Sequence, residues 1–152
     1  MKYSIPYKVH KKTTELQISL QKPVEEEGQD GKAIRKAGAI FLEIAKSLGD
    51  GSDKMDWQNK TTMKIGLMDI ATIVQDVRSG GKVNLIHKIE KEGKDQYTSL
   101  TIEPGENGSF KWMIVKKLDG SNKIDTVYLN SKEMYLAFNL LEAAVPIING
   151  WL

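Results

Sequence analysis

Leu16, Ile18 and Leu20 alternate with Glu15, Gln17 and Ser19, the two-residue period of a half-buried strand over 14–20, which Pro23 ends. Residues 24–32, with Glu25, Glu26, Glu27, Gly28, Asp30 and Gly31, read as an exposed acidic loop. From Ala33 the alternation resumes, Ile34, Ile40, Leu42 and Ile44 opposing Arg35, Phe41 and Glu43, until Gly49-Asp50-Gly51-Ser52 turns the chain. A further strand is predicted over 55–65, where Met55, Trp57, Met63 and Ile65 oppose Asp56, Gln58, Lys60, Thr62 and Lys64. At Gly66 the period changes. Leu67, Ile70, Ile73, Val74 and Val77 recur at helical spacing, and Ser79-Gly80-Gly81 stops the run.

The second half repeats this order. Strands are predicted over 82–91, 97–102, 110–117 and 124–129, with a hairpin at Asn107-Gly108 and another turn at Asp119-Gly120-Ser121-Asn122. Ser131 reads as the N-cap of a closing helix. Strands then helix, twice, predict one α+β domain over residues 1–152. One helix covers only part of each sheet, so oligomerisation is expected.

The 152 residues are 40% hydrophobic and 28% charged, which excludes a disordered or fibrous chain. The formal charge of +2 permits nucleic-acid binding without demanding it, since the placement of cations matters more than their sum. With no cysteine there is no disulfide framework, thiolate zinc site or cysteine nucleophile. Residues 1–12 lack the apolar core of a secretory signal, and no targeting segment is recognised, so an intracellular, cytoplasmic or nucleoid-associated protein is expected. The apolar stretch 134–152 is broken by Asn139, Glu142, Pro146 and Asn149, which argues for a buried amphipathic helix over a membrane span.

Catalytic constellations are thin. His10 and His87 lack metal-ligand spacing and read as surface or sheet-edge histidines; there is no G-x-S-x-G. Gly80-Gly81-Lys82 follows a helix instead of opening one, so it reads as a linker, not a phosphate loop. Asp50, Ser52 and Asp53 lack the closing glutamate of a calcium loop and read as a turn. No enzyme activity, metal or cofactor is expected.

Interleaved cations and rings hold more promise. Lys8, His10, Lys11 and Lys12 come before any acid in the chain, and Trp57 to Lys60, Phe110 to Trp112 and Lys116-Lys117 mix aromatic with basic residues. Rings stack on bases and lysines pair with phosphates, at roughly 1–3 kcal/mol per stacked base. The competing reading puts Trp57, Phe110 and Trp112 on a core face and leaves the lysines to solubilise the other. Spacing alone leaves both open.

Three blocks carry a resemblance. Met55-Asp56-Trp57-Gln58-Asn59-Lys60, with the helix Leu67-Met68-Asp69-Ile70 that follows, resembles the Y-D-W-x-x-K strand and helix of Whirly proteins. Leu100-Thr101-Ile102-Glu103-Pro104, with its Asn-Gly turn and Phe110, is similar to their V-E-P hairpin. Val127-Tyr128-Leu129, Phe138-Asn139, Val145-Pro146 and Gly150-Trp151 resemble the family's last strand and terminus. The match spans nearly the whole chain in the family's order, from about Lys8 to Trp151.

The resemblance implies two antiparallel four-stranded sheets packed roughly perpendicular, each followed by a helix, in a homotetramer. It implies a sequence-tolerant single-stranded DNA-binding protein that protects melted DNA in replication, repair, recombination or transcription. The alternatives are a single-stranded RNA binder of the same fold and an oligomeric protein-interaction scaffold. Trp57 and Lys60 carry over first, on the best-matched motif. Lys11, Lys12, Phe41, Tyr97, Lys111 and Trp112 complete the expected surface. The family's K-G-[NK]-A motif is reduced to Lys11-Lys12-Thr13-Thr14-Glu15-Leu16, so assembly into larger shells is not expected.

Overall fold

The computed structural model describes residues 6–151. Residues 1–5, part of the stretch read as lacking a secretory signal, and Leu152, the last residue of the closing apolar stretch, lie outside the described residues. Ten strands are present among those described: β1 (Tyr7–His10), β2 (Thr14–Gln21), β3 (Val24–Glu27), β4 (Ala33–Lys36), β5 (Ala39–Lys46), β6 (Thr61–Ile65), β7 (Val83–Lys91), β8 (Lys94–Pro104), β9 (Phe110–Leu118) and β10 (Ser121–Leu129). Helix α1 (Leu67–Arg78) follows β6, and α2 (Ser131–Ile148) follows β10. Sheet 1 has the order β1-β2-β5-β6, sheet 2 the order β10-β9-β8-β7, and β3-β4 stands out as a separate hairpin. Every pairing is antiparallel.

The two sheets share one core. Their inner faces meet where β10 lies against β2 and β5, and β6 against β8 and β9, while α2 packs on both sheets and on α1. Leu16, Leu42, Ile44 and Ile65 from sheet 1 join Leu100, Ile102, Trp112 and Ile114 from sheet 2, with Ile70, Ile73 and Leu141 from the helices. One buried charge bridges the layers: the Asp125 carboxylate, almost wholly buried, lies 3.3 Å from Lys46 Nζ.

In the first half of the chain the elements depart from the periodicity in four places. Residues 24–32 are not all loop, because β3 pairs with β4 in the register Glu25 to Arg35 and Glu26 to Ile34. The expected strand from Ala33 is split at Gly38, where a side chain would start 2.5 Å from the Gln21 carbonyl oxygen and 3.1 Å from Ile148 Cα. Only glycine lets the end of α2 come this close. The expected strand over 55–65 begins at Thr61, since Trp57–Asn59 form a 3-10 turn. Tyr7–His10 add an edge strand that buries only Val9 deeply, too little to leave a period in the sequence.

Sheet 2 is a meander of local hairpins. Glu92 and Gly93, at φ 55° and 74°, and Asp119 and Gly120, at 51° and 82°, have the two positive φ angles that a type I′ turn requires. Ser121 and Asn122, expected in the turn, therefore belong to β10. At α2 the cap is Asn130, not Ser131. The Asn130 side-chain oxygen accepts from the Glu133 N–H at 2.8 Å and the Glu133 carboxylate accepts from the Asn130 N–H at 2.9 Å, a reciprocal capping box.

Candidate nucleic-acid interface

Each sheet has a second face turned away from the core, and strand alternation decides what it carries. On sheet 1 the register sets Lys8 beside Gln17, Gln17 beside Glu43 and Glu43 beside Thr62, in one row across all four strands. The next row is Ser19, Phe41 and Lys64. Trp57 comes to this face from the turn before β6, which is tied to β5 by the Asp56 N–H donating to the Lys46 carbonyl at 2.7 Å.

Two open depressions result. One, of about 390 Å³, is lined by Ser19, Phe41, Glu43, Lys60 and Thr62. The other, of about 310 Å³, is lined by Lys8, Glu15, Asp53, Lys54, Met55 and Trp57. Lys60 forms an ion pair with Glu43, whose same oxygen accepts from the Thr62 hydroxyl at 3.4 Å. The face thus alternates charges, with Lys8, Lys54, Lys60 and Lys64 set among Glu15, Glu43 and Asp53.

On sheet 2 the outward rows are Lys88, Tyr97, Lys117 and Asn122, then Ile86, Ser99, Val115 and Ile124, then Glu103, Lys111 and Tyr128. Lys88 Nζ stands 6.0 Å from the Tyr97 ring centre, a cation–π contact that holds the ring's edge of the sheet. Tyr97 and Tyr128 are well exposed.

The structure brings Phe41, Trp57 and Lys60 together on sheet 1, and sets Tyr97 and Lys111 on the outer face of sheet 2. Lys11 and Lys12 occupy the β1–β2 turn; Lys11 Nζ lies 2.5 Å from Glu133, the capping residue of α2, and Lys12 is exposed. Trp112 is corrected. It is fully buried, and its Nε1–H donates to Met134 Sδ at 3.3 Å, so no base reaches it. Neighbours on a strand point to opposite faces, so Lys111 and Trp112 cannot share a surface. Glu43, Thr62 and Lys64 were missed by sequence reasoning, and Lys8, noted there only among the early cations, joins them on this face; the signal for them was the parity that aligns Phe41 and Glu43 on β5.

The histidines lie on edge strands as expected: His10 Nδ1 is 2.9 Å from Glu15, and His87 Nε2 is 3.1 Å from Asp69, whose other contact caps Gly66 at the start of α1. In the loop before Trp57, Asp50 accepts from the Ser52 hydroxyl and N–H, which hold its carboxyl below the ordinary aspartate value. Among the described residues no three His, Asp or Glu side chains form a metal cluster, and no helix is long and apolar enough to cross a membrane.

A family profile described as "Whirly transcription factor" matches residues 9–145. Among solved structures the chain is similar to WHY1 from Arabidopsis thaliana, at 18% identity and TM-score 0.81 over 97% of this chain and 86% of that one. It is similar to WHY3 from Arabidopsis thaliana at 19% identity and TM-score 0.80, covering 97% and 90%. It is also similar to the plant transcriptional regulator PBF-2, at 16% identity and TM-score 0.78, covering 97% and 92%. These likenesses establish the fold. Comparison with curated protein sequences returns no match.

Proposed function

Since this chain belongs to the Whirly family, we propose that it is a non-catalytic single-stranded DNA-binding protein that covers melted DNA during replication, repair, recombination or transcription. The observation that carries this reading is the outer face of sheet 1, where Phe41, Trp57 and Lys60 border open depressions with Lys8 and Lys64 in the neighbouring rows. Unstacked bases enter such depressions beside a ring, and the lysines meet the phosphates between them. Duplex DNA keeps its bases stacked inward and gains only the lysines. Tyr97 and Lys111 on sheet 2, with Lys11 and Lys12 at the β1–β2 turn, extend the surface.

We place the protein in a homotetramer assembled through α2. Beside its buried stripe, this helix carries Leu136, Leu140, Ala143 and Ile147 at helical spacing, with Leu136 and Leu140 about half exposed. A groove of about 210 Å³ continues this apolar stripe onto Tyr7, Ile18, Leu20 and Ile40 of sheet 1. Helix faces of this kind stay soluble by packing on a copy of themselves. A strand that touches several copies gains avidity over a single face.

The test is a titration of a labelled mixed-sequence single strand of roughly 30 nucleotides, with duplex DNA and matched RNA as competitors, at several salt concentrations. Tight binding that only single-stranded DNA displaces is expected. RNA that competes better moves the function to RNA, and no binding at low salt removes the reading in favour of a protein-interaction scaffold. Light scattering on the wild type and on Leu140→Asp checks assembly: four copies are expected to fall to smaller species in the variant.

A further inference from the structure

We infer that Asp125, in the core of sheet 2, is a positioning residue for the Trp57 turn on sheet 1 and acts through Lys46; its consequence for strand binding rests on the reading of sheet 1 as a single-strand surface. Asp125 is the anomaly of the core. The register sets it in one inward row with Leu85, Leu100 and Ile114, and it is 1% exposed. Among the described residues no hydrogen bond reaches either carboxylate oxygen, and the Lys46 ammonium, 3.3 Å from Oδ1, is its one ion-pair partner. Glu15, the other buried acid among them, has His10 and Gln17 within hydrogen-bond reach. A buried carboxylate so poorly satisfied costs stability, and an apolar side chain in its place is often neutral or stabilising. Its use lies in what it holds.

What it holds is the end of β5. Lys46 is the last residue of that strand, and its side chain follows Leu42 and Ile44 toward sheet 2, where Asp125 fixes it. The Lys46 carbonyl accepts from the Asp56 N–H at 2.7 Å, Ser47 bridges to Met55, and the Asn59 amide donates to the Asp56 carboxylate at 2.8 Å. Lys46 thus has its ammonium against the core of the opposite sheet and its carbonyl on the turn that carries Trp57. Strand ends fray first, because few contacts hold them. An ion pair to a buried carboxylate keeps this end closed, and with it the wall that Trp57 gives to its depression. A ring fixed in advance loses less freedom when a base stacks on it, so affinity gains where the core gives up stability.

Asp125→Leu and the near-isosteric Asp125→Asn test this, the second keeping the volume if leucine overfills the site. Removing the carboxylate strands no charge, since the Lys46 side chain is 59% exposed and turns to water. The melting temperature of Asp125→Leu is therefore expected at or above that of the wild type. Hydrogen exchange at the Asp56 amide, followed by NMR, is expected to quicken about tenfold in both variants, with the amides in the middle of β9 unchanged. A labelled single strand of roughly 30 nucleotides is expected to bind about fivefold more weakly, near the lower end of what one stacked base contributes. Combining Asp125→Leu with Trp57→Ala should add no further loss to that of Trp57→Ala alone. Unchanged exchange at Asp56 overturns the proposal, and so does exchange that quickens across β9 as well, which marks a general loss of stability. Unchanged affinity in both variants, or a loss that recurs in full beside Trp57→Ala, overturns the part of Asp125 in binding. A wild-type protein that binds no strand removes the reading of sheet 1, while exchange at Asp56 still decides what Asp125 positions.

Discussion

Sheet 1 presents an outer face broken into depressions, because β6 spans only five residues and the turn before it brings Trp57 and Lys60 against β5, whereas the outer face of sheet 2 rides on uninterrupted strands of nine to eleven residues. The first face has walls. A base entering it meets a ring, a lysine and a carboxylate within one cavity, while on the second face Tyr97, Tyr128 and the isoleucines lie spread over a pleated surface. Both faces have comparable residue types. What separates them is the interruption of a strand, which converts side chains in a row into side chains around a hollow.

The strongest way to break this comparison is at β9, where the two neighbours Lys111 and Trp112 serve different faces. Trp112→Ala is expected to cost roughly 3–5 kcal/mol of stability, read from the denaturant midpoint, because it empties the middle of the shared core. Lys111→Ala should leave that midpoint within about 0.5 kcal/mol. A small stability loss at Trp112 would place its ring at the surface after all.

Next in size is Trp57→Ala, expected to weaken oligonucleotide binding by roughly 1–3 kcal/mol with the melting temperature little changed. Tyr97→Ala, on the face without walls, is expected to lose about 1 kcal/mol or less in the same titration. If Tyr97 proves the more costly of the two, the walled face is not the principal one. The smallest effect is expected from Lys60→Ala. Each full phosphate contact contributes about 0.7 to the slope of log affinity against log salt for a single strand, and Lys60, shared with Glu43, should remove less than that. A loss of a full contact or more would show that the strand displaces Glu43 from Lys60.

Most of the elements were legible because their apolar residues repeat. Leu16, Ile18 and Leu20 mark β2, and Ile70, Ile73 and Val74 mark α1, which ends at the glycines that follow Ser79. The elements that escaped bury little. Glu25 to Glu27 are exposed in β3, a strand sustained by its pairing with β4, and β1 hides only Val9 deeply. Over 55–65 the reverse happened: Met55 and Trp57 fall in step with a strand period, but Met55 only bridges to Ser47 and Trp57 sits in a turn. For the candidate surface, Trp57 and Lys60 were legible through their motif, and Phe41 through its opposition to Ile40 and Leu42. Trp112 was misread because its neighbouring lysines were weighed together with it, although a strand sends them to the other side.

Alone, the amino-acid sequence determined the alternation of strands with helices, the glycine-bearing turns and the residues able to leave the core, since all of these depend on contacts within a few residues. Only the tertiary structure decided that Phe41, Glu43 and Lys60 enclose one cavity, that Lys8 and Lys64 share its face, and that Lys46 meets Asp125 between the layers. Those meetings join segments distant along the chain. Their register is set by how two sheets and two helices bury a common core, and no local period records it.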